Sequence, residues 1–372
     1  PRAADLIGAE PDLVYWLMLL KAPHLGVKTF YKALQYFETP QQVFLASSRD
    51  RLNSGLFKKP TLAYLESADS SLVKADLDWM QKQDCHILTL IDERYPSQLK
   101  TISDPPPILY VRGEVACLKE PQLAIVGSRN PTTGGKQNAQ QFAADLAKLG
   151  LVITSGMASG IDAQAHIGAL EQGAKTIAVC GTGLDRIYPA KHKSLAHQIS
   201  LQGALISEFS IGTSPMASNF PRRNRLISGL SLGTLVVEAS IKSGTMITAR
   251  LAADQGKEVF AIPSSIHNPL AQGCHYLINQ GAKLAGCVND IVEELPEGLL
   301  NDILPQKYTH SIKEMDKTGS KVLKCLSYEP LSVDQLVEKT KLSPQIVAQE
   351  LLLLELESKV EKTNAQGYVL IK

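Results

Sequence analysis

Residues 123–156, LAIVGSRNPTTGGKQNAQQFAADLAKLGLVITSG, run from an unbroken apolar strand into Gly127-Ser128-Arg129, through a helix, and into a second apolar strand ending at Ser155-Gly156. A strand without polar alternation must be covered on both faces, as parallel strands are, and parallel strands need a helical crossover between them. This unit therefore confines the surrounding chain to an α/β architecture. It also sets glycines and an arginine where strand ends meet helix N-termini, a geometry that holds oxyanions. The alternative is a tight turn that needs Gly127 and binds nothing.

From about Asp76 the whole chain follows the same alternation. Strands are expected near 87–91, 123–127, 151–155, 175–180, 204–208, 232–238, 257–262 and 283–288, and helices near 77–83, 135–149, 160–172, 192–201, 222–229, 244–255 and 274–280. The expected fold is a Rossmann-like, doubly wound, mainly parallel sheet over residues 76–297. Asp104-Pro-Pro-Pro107 reads as a stiff extended connection before the main sheet.

Two smaller units flank it. Residues 1–75 carry apolar groups at helical spacing (Leu13, Trp16, Leu17, Leu20; Phe30, Leu34, Phe37; Val43, Phe44), broken at Pro23, Gly26, Pro40 and Gly55. That is a bundle of short helices, and APHLGVKTFYKALQYF within it has the form of a helix-turn-helix hairpin. A polar linker (298–317) leads to residues 318–372, where helices at 320–326, 333–339 and 344–358 precede strands at 360–362 and 368–371. Three helices and a hairpin spell a winged helix. Its third helix carries Glu350, Glu355 and Glu357 against Lys359 alone, a poor match to a DNA major groove, so this unit is read as a protein-contact module.

A net charge of +1 with 20% charged residues excludes a broadly basic surface, so any polyanion site must be local. Six cysteines without a C-x-x-C, most in apolar runs, read as reduced core residues of a cytoplasmic protein rather than metal ligands. No apolar run reaches the roughly 18 residues that would span a bilayer, and the N-terminus lacks a signal pattern, so no membrane partner is expected. A start at Pro1 reads as a trimmed or incomplete N-terminus.

Four loops at strand ends are built from small residues: Gly127-Ser128-Arg129, Ser155-Gly156, Gly181-Thr182-Gly183 and Ser243-Gly244-Thr245. Converging on one rim, they make an anion site. Two common anions do not fit. Gly135-Lys136 is followed by Gln137, so the phosphate loop of nucleoside-triphosphate enzymes is absent, and no G-x-G-x-x-G with a ribose-binding acid marks a dinucleotide. Neither a cofactor nor a metal is expected, since His166, His192 and His197 lack partners at ligand spacing. Positive charge gathers at Asn219-Phe220-Pro221-Arg222-Arg223-Asn224-Arg225, where an aromatic sits among arginines, as a single strand of nucleic acid requires. Catalytic patterns are thin, and Glu238 is either a carboxylate placed for chemistry or a loop cap.

Several of these stretches together resemble the bacterial DNA-processing protein A family: IVGSRNPT, GMASGIDAQAHIGAL, TIAVCGTGLDRIYP, GALISEF, NFPRRNRLISGLS and VVEASIKSGTMITARLAADQGKEVFAIP, with GC-x-x-LI-x-x-GA at 273–282. The resemblance implies a non-enzymatic, homodimeric binder of single-stranded DNA in natural transformation, one that protects the strand and helps load RecA recombinase where single-strand-binding protein is present. It implies a sterile-alpha-motif-like N-terminal domain and a C-terminal winged helix. On this pattern Arg129 is a principal DNA contact and Lys191, with Lys193 second, another. The NFPxRNR block supplies Asn219, Phe220, Arg222, Asn224 and Arg225, with Arg223 as an addition, and Leu277, Ile278 and Leu284 fall on the dimer surface. Two places depart from the pattern: Ile262-Pro263-Ser264 for Val-Pro-Gly, and Gly273-Cys274-His275 for Gly-Cys-Asn. The alternative is an enzyme of the nucleoside-monophosphate phosphoribohydrolase type, with Gly233-Thr234 followed by Glu238.

Overall fold

The structure, a computed structural model, describes residues 11–296, 322, 325–326, 331–356, 360–362 and 367–370, which fall into two compact units divided after Pro296. In the first, helices α1 (Pro11–Leu20), α2 (Val27–Phe37), α3 (Pro40–Leu45), α4 (Ser48–Asn53) and α5 (Lys59–Ser67) lead into α6 (Lys74–Met80). Strand β1 (Cys85–Thr89), helix α7 (Ser97–Lys100) and strand β2 (Ile108–Gly113) follow. The rest alternates: β3 (Gln122–Val126), α8 (Thr133–Lys148), β4 (Val152–Ser155), α9 (Ile161–Glu171), β5 (Thr176–Val179), α10 (Lys193–Gln202), β6 (Ala204–Ser207), α11 (Asn219–Leu230), β7 (Gly233–Val236), α12 (Gly244–Asp254), β8 (Glu258–Ala261), α13 (Gln272–Asn279), β9 (Lys283–Leu284) and α14 (Asn289–Val292).

The nine strands form one sheet in the order β1-β2-β6-β5-β4-β3-β7-β8-β9. From β6 to β9 all pairings are parallel, while β2 runs antiparallel to both β1 and β6. Sequence periodicity misses β2 and α7. Ile-Leu-Tyr-Val follows three prolines and lacks alternation because both its faces are buried, so it reads as more of the extended connection. The helices divide by direction of winding. Those after β3, β4 and β5 cover one face as the sheet grows towards β6, and α11 crosses to the other face, where α12 and α13 follow β7 and β8. The order thus reverses between β3 and β7, the place where open α/β sheets bind ligands.

Helices α1–α6 share a core with the sheet: Val14, Leu17, Phe30 and Trp79 pack in the same cluster as Ile87, Ile108, Tyr110 and Leu205. A polar tie reinforces the junction. Asp76, fully buried, accepts the Tyr110 hydroxyl at 2.8 Å and the Ile211 amide at 3.0 Å, and pairs with Lys21 at 2.6 Å. Of the six cysteines, Cys85, Cys117, Cys180 and Cys274 are buried, Cys325 is half-buried and Cys287 is exposed.

In the second unit α15 (Val333–Thr340) begins at a reciprocal cap between Ser332 and Gln335, α16 (Pro344–Leu356) follows, and β10 (Val360–Lys362) pairs antiparallel with β11 (Tyr368–Leu370). Leu336, Val347, Leu351, Leu354 and Val360 form its core together with Val322 and Leu326. This is the expected winged helix. Of the helix anticipated at 320–326, most residues, like the linker 298–317 and Glu357, lie outside the described residues.

His166 on α9 is fully buried, with Nδ1 2.7 Å from the Thr176 hydroxyl. That hydroxyl already donates to the Ile153 carbonyl at 2.6 Å, so Nδ1 must carry the imidazole proton, and Nε2 has no hydrogen-bond partner. Burial, assisted by His192 and Arg223, pushes the ring down from 6.5 to about 3. Below pH 6.5 the unfolded chain takes up a proton that the native state refuses, so this contribution is intact above that pH and is lost as pH falls. Urea unfolding should show a loss of roughly 2 kcal/mol from this group between pH 7.5 and 5. His166→Gln should flatten the pH dependence by that amount, and an unaltered slope would refute the assignment.

Candidate nucleic-acid interface

At the switch point, the loops after β3 and β7 and the first turns of α11 and α12 enclose an open cleft of about 510 Å³. Each wall follows from local sequence. After Val126 the chain turns through Gly127 to Ser128, whose amide donates to the Glu238 carbonyl at 2.7 Å and whose carbonyl accepts the Ile161 amide at 3.1 Å. With Ser128 pinned to the segment after β7 and to the start of α9, Arg129 projects into solvent, its guanidinium carbon 5.8 Å from the centre of the Phe220 ring. Such a separation is within cation–π range.

Phe220 reaches that position because α11 begins at Asn219, one turn earlier than the arginine-led start expected at 222. Pro221 is tolerated in the first turn, where the amide it lacks would have no helical partner. The Asn219 side chain donates to the Gly181 carbonyl at 3.2 Å, and a Cβ on Gly181 would fall 2.9 Å from the Phe220 ring, so glycine lets the ring lie down. Tyr188, 48% exposed, packs against the same ring at 5.4 Å between centroids. Tyr188 is missed by sequence reasoning. Its Tyr-Pro pair served to locate Lys191, although an aromatic near a glycine loop is itself a signal.

The expected site residues separate by burial. Arg129, Arg222, Lys191 and Gly244 are exposed, while Gly127, Ser128, Phe220, Ser243 and Thr245 are half-buried along the cleft. Lys191 lies on a short turn beyond Tyr188, outside the cleft lining. Thr245 donates to the Gly127 carbonyl at 3.1 Å, tying the start of α12 to the β3 loop.

Six of the expected contacts are buried, two of them, Arg223 and Asn224, in the cleft lining. Ser155 is buried, its hydroxyl 2.6 Å from the Ile125 carbonyl. Gly156 is buried because a Cβ there would meet Asp162 and Arg223 at 2.7–2.8 Å. Arg223, 4% exposed, gives its guanidinium to the carbonyls of Gly156 and Val179. Asn224 accepts from Arg223 at 3.2 Å, and Asn219 is held as described above. Arg225 is clamped between Glu208 (2.8 and 2.9 Å) and Asp104 (2.8 Å). Arg225 has all three guanidinium nitrogens engaged by these carboxylates, so it has little left to offer a ligand. Registered on Asn219-Phe220-Pro221, the variable place of NFPxRNR is also Arg222 rather than Arg223. The extra arginine is therefore the exposed one, which lies 5.3 Å over Phe209 and pairs with Glu208 at 2.7 Å.

Glu238 is the loop cap. Buried, it accepts the Thr132 amide at 2.9 Å and hydroxyl at 2.6 Å, and the Asn268 amide group at 3.3 Å. Beneath Arg223, burial pushes the Asp162 carboxyl up against the lowering influence of that guanidinium. Among the described residues no cluster of His, Cys, Asp and Glu could hold a metal, and no helix is long and apolar enough to cross a membrane.

The DNA recombination-mediator protein A family model matches residues 86–296, the stretch that forms the sheet and the cleft. The chain belongs to that family. The DprA winged-helix domain model matches residues 306–364. Protein Smf of Escherichia coli K12 is 42% identical over 292 residues, 77% of each chain, and Protein Smf of Synechocystis sp. is 35% identical over 97% of this chain and 99% of its own. Among solved structures, DprA of Streptococcus pneumoniae superposes with a TM-score of 0.68 at 36% identity, covering 76% of this chain and 98% of that one. DNA processing protein A of Helicobacter pylori, solved to explain its single-stranded DNA binding mode, gives 0.53 at 32% identity, covering 59% and 97%. The two departures from the family pattern meet in space: His275 Nε2 lies 2.9 Å from the Ser264 carbonyl, so the two substitutions brace one turn together.

If Arg225 is framework and Arg129 is surface, their alanine variants must differ in stability. Arg225→Ala leaves Glu208 and Asp104 short of a partner and should cost about 3 kcal/mol in urea unfolding, whereas Arg129→Ala should cost less than about 0.5 kcal/mol.

Proposed function

We propose that the protein binds single-stranded DNA across the cleft between β3 and β7. The observation that carries this reading is the exposed Arg129 guanidinium set over Phe220, with Tyr188 packed against the same ring and Gly127 and Ser128 in the lining of the cleft. A cation beside two accessible rings suits a strand whose phosphates are charged and whose bases are unpaired. The same site suits duplex poorly, since stacked base pairs offer no free faces. Support also comes from the Helicobacter pylori relative, whose described property is its single-stranded DNA binding mode.

On this reading the protein acts in natural transformation, in the cytoplasm and without catalytic turnover. It covers incoming strands and helps load RecA recombinase onto DNA held by single-strand-binding protein. Leu277 and Ile278 on α13 and Leu284 on β9, with Tyr276 beside them, offer an apolar, partly exposed face for a second copy of the chain. The winged helix, with Ile346, Leu352 and Leu353 exposed on α16, would meet protein rather than a major groove. The phosphoribohydrolase reading finds less support, because the Glu238 carboxylate is engaged in holding the Thr132 loop.

In fluorescence titrations at several salt concentrations, Arg129→Ala should weaken oligothymidylate binding and reduce the slope of log K against log salt by about 0.7, one phosphate contact on a single strand. Phe220→Ala should cost about 1–3 kcal/mol of affinity with the slope unchanged, since a lost stacking face releases no counterion. Unchanged affinity in both variants would place the strand elsewhere. Release of adenine from AMP, abolished in Glu238→Gln, would replace the reading with the enzymatic one.

A further inference from the structure

The loop at 184–190 has a second face. Tyr188 turns into the cleft described above, while Arg186, Ile187 and Ala190 line a separate cleft of about 420 Å³. Its floor is apolar, made of Leu184, Ala196 and Leu205, all buried. Its walls are Arg112 from β2 and, from one face of α10, Lys193 and His197, which lie four residues apart.

The charges here are unevenly matched. Asp185, the single acidic residue of the lining, pairs with Arg186 at 2.6 Å, and its other oxygen accepts the Gly212 amide at 2.9 Å. That pair is closed on itself. Among the described residues neither Arg112 nor Lys193 has an ion-pair partner, and the first turn of α10 carries no acidic residue to offset its positive end. An apolar floor under unpaired cations suits a ligand that brings anions and flat apolar groups together. A nucleic-acid strand does so at every nucleotide, whereas a free phosphate would leave the floor uncovered.

We propose that this cleft is a second strand-binding subsite, receiving the nucleotides that lie beyond Tyr188. Phosphates meet Arg112 and Lys193, and a base rests over Leu184 and Leu205 with His197 at its side. The proposal rests on the reading that the Arg129–Phe220 cleft holds single-stranded DNA. The two subsites are neighbours, because Tyr188 lines one and Ala190 the other and their Cα atoms can be no more than about 7 Å apart. Lys191, on the turn that follows Ala190, is exposed.

The test is fluorescence anisotropy of the full-length protein with oligothymidylates of increasing length at several salt concentrations. Arg112→Gln/Lys193→Gln should bind the shortest strands as the parent does, lose about tenfold on longer ones, and show there a salt slope shallower by about 1.4, two contacts of about 0.7 each. Arg129→Ala, in contrast, should weaken binding at every length. His197→Ala, on an exposed helix face, guards against misfolding of the double variant and should reproduce a length-dependent loss without the change in slope. Equal affinity and slope for the double variant and the parent at all lengths would overturn the second subsite and leave the first standing. Failure of the parent to bind any oligonucleotide would remove both. Oligo-aspartate binding that the double variant abolishes, with DNA binding intact, would assign the cleft to acidic protein and overturn the proposal.

Discussion

The site depends on one buried cation. Arg223 comes off the second turn of α11, passes close to Gly156 and gives its guanidinium to the carbonyls at the ends of β4 and β5. An arginine taken out of water is tolerable only where its donors are met, so those carbonyls fix where α11 starts and how it is rotated about its axis. Phe220 lies three residues earlier, close to one helical turn, and its place in the cleft follows from that rotation. Gly156 is the counterpart of this arrangement, because any side chain there would occupy the space the guanidinium needs.

Glu238 performs the matching task on the other wall. Its main-chain carbonyl holds the Ser128 amide, and its carboxylate holds the Thr132 amide and hydroxyl. The two ends of the Gly127–Thr132 loop are therefore fastened to the segment just after β7, the neighbour of β3 across the switch point. Arg129 sits between the two fastenings with its own side chain unengaged by them. A loop so pinned presents a long cation at low cost in backbone entropy. The cleft thus arises from two buried charges of opposite sign, each held inside the protein, which orient an exposed cation and an aromatic ring towards each other.

The sheet was legible in the sequence because its parallel strands are short apolar runs separated by helices, and the period changes sharply at each boundary. The antiparallel β2 was hidden for the same reason that it is stable: buried on both faces after a run of prolines, it shows neither alternation nor a turn signal. Within the site, the Gly127-Ser128-Arg129 loop and Phe220 could be read from residue type and position. The roles of the three block arginines could not. Arg222, Arg223 and Arg225 are the same residue within four positions, and what separates them is the direction each takes from α11. Arg223 and Arg225 leave α11 on nearly opposite sides, each into a buried set of acceptors, the carbonyls of Gly156 and Val179 for one and Glu208 with Asp104 for the other, while Arg222 is exposed.

Composition misled in a related way. A net charge of +1 gives no hint of a polyanion site, because the total sets every base against every acid wherever each one lies. Arg225 is cancelled by Glu208 and Asp104, Arg186 by Asp185, and Lys175 by Glu114 and Glu120. What matters for a passing strand is the residue left after this pairing. Arg129, Lys191, Lys193 and Arg112 are cations that no acid neutralises among the described residues. Arg129, Lys191 and Lys193 lie on the segments that follow β3 and β5, and Arg112 lies on β2 opposite Leu205 of β6. Counterions condensed on a polyanion are displaced by unpaired cations and not by internal ion pairs, so the salt dependence of binding should follow this small set rather than the whole-chain charge.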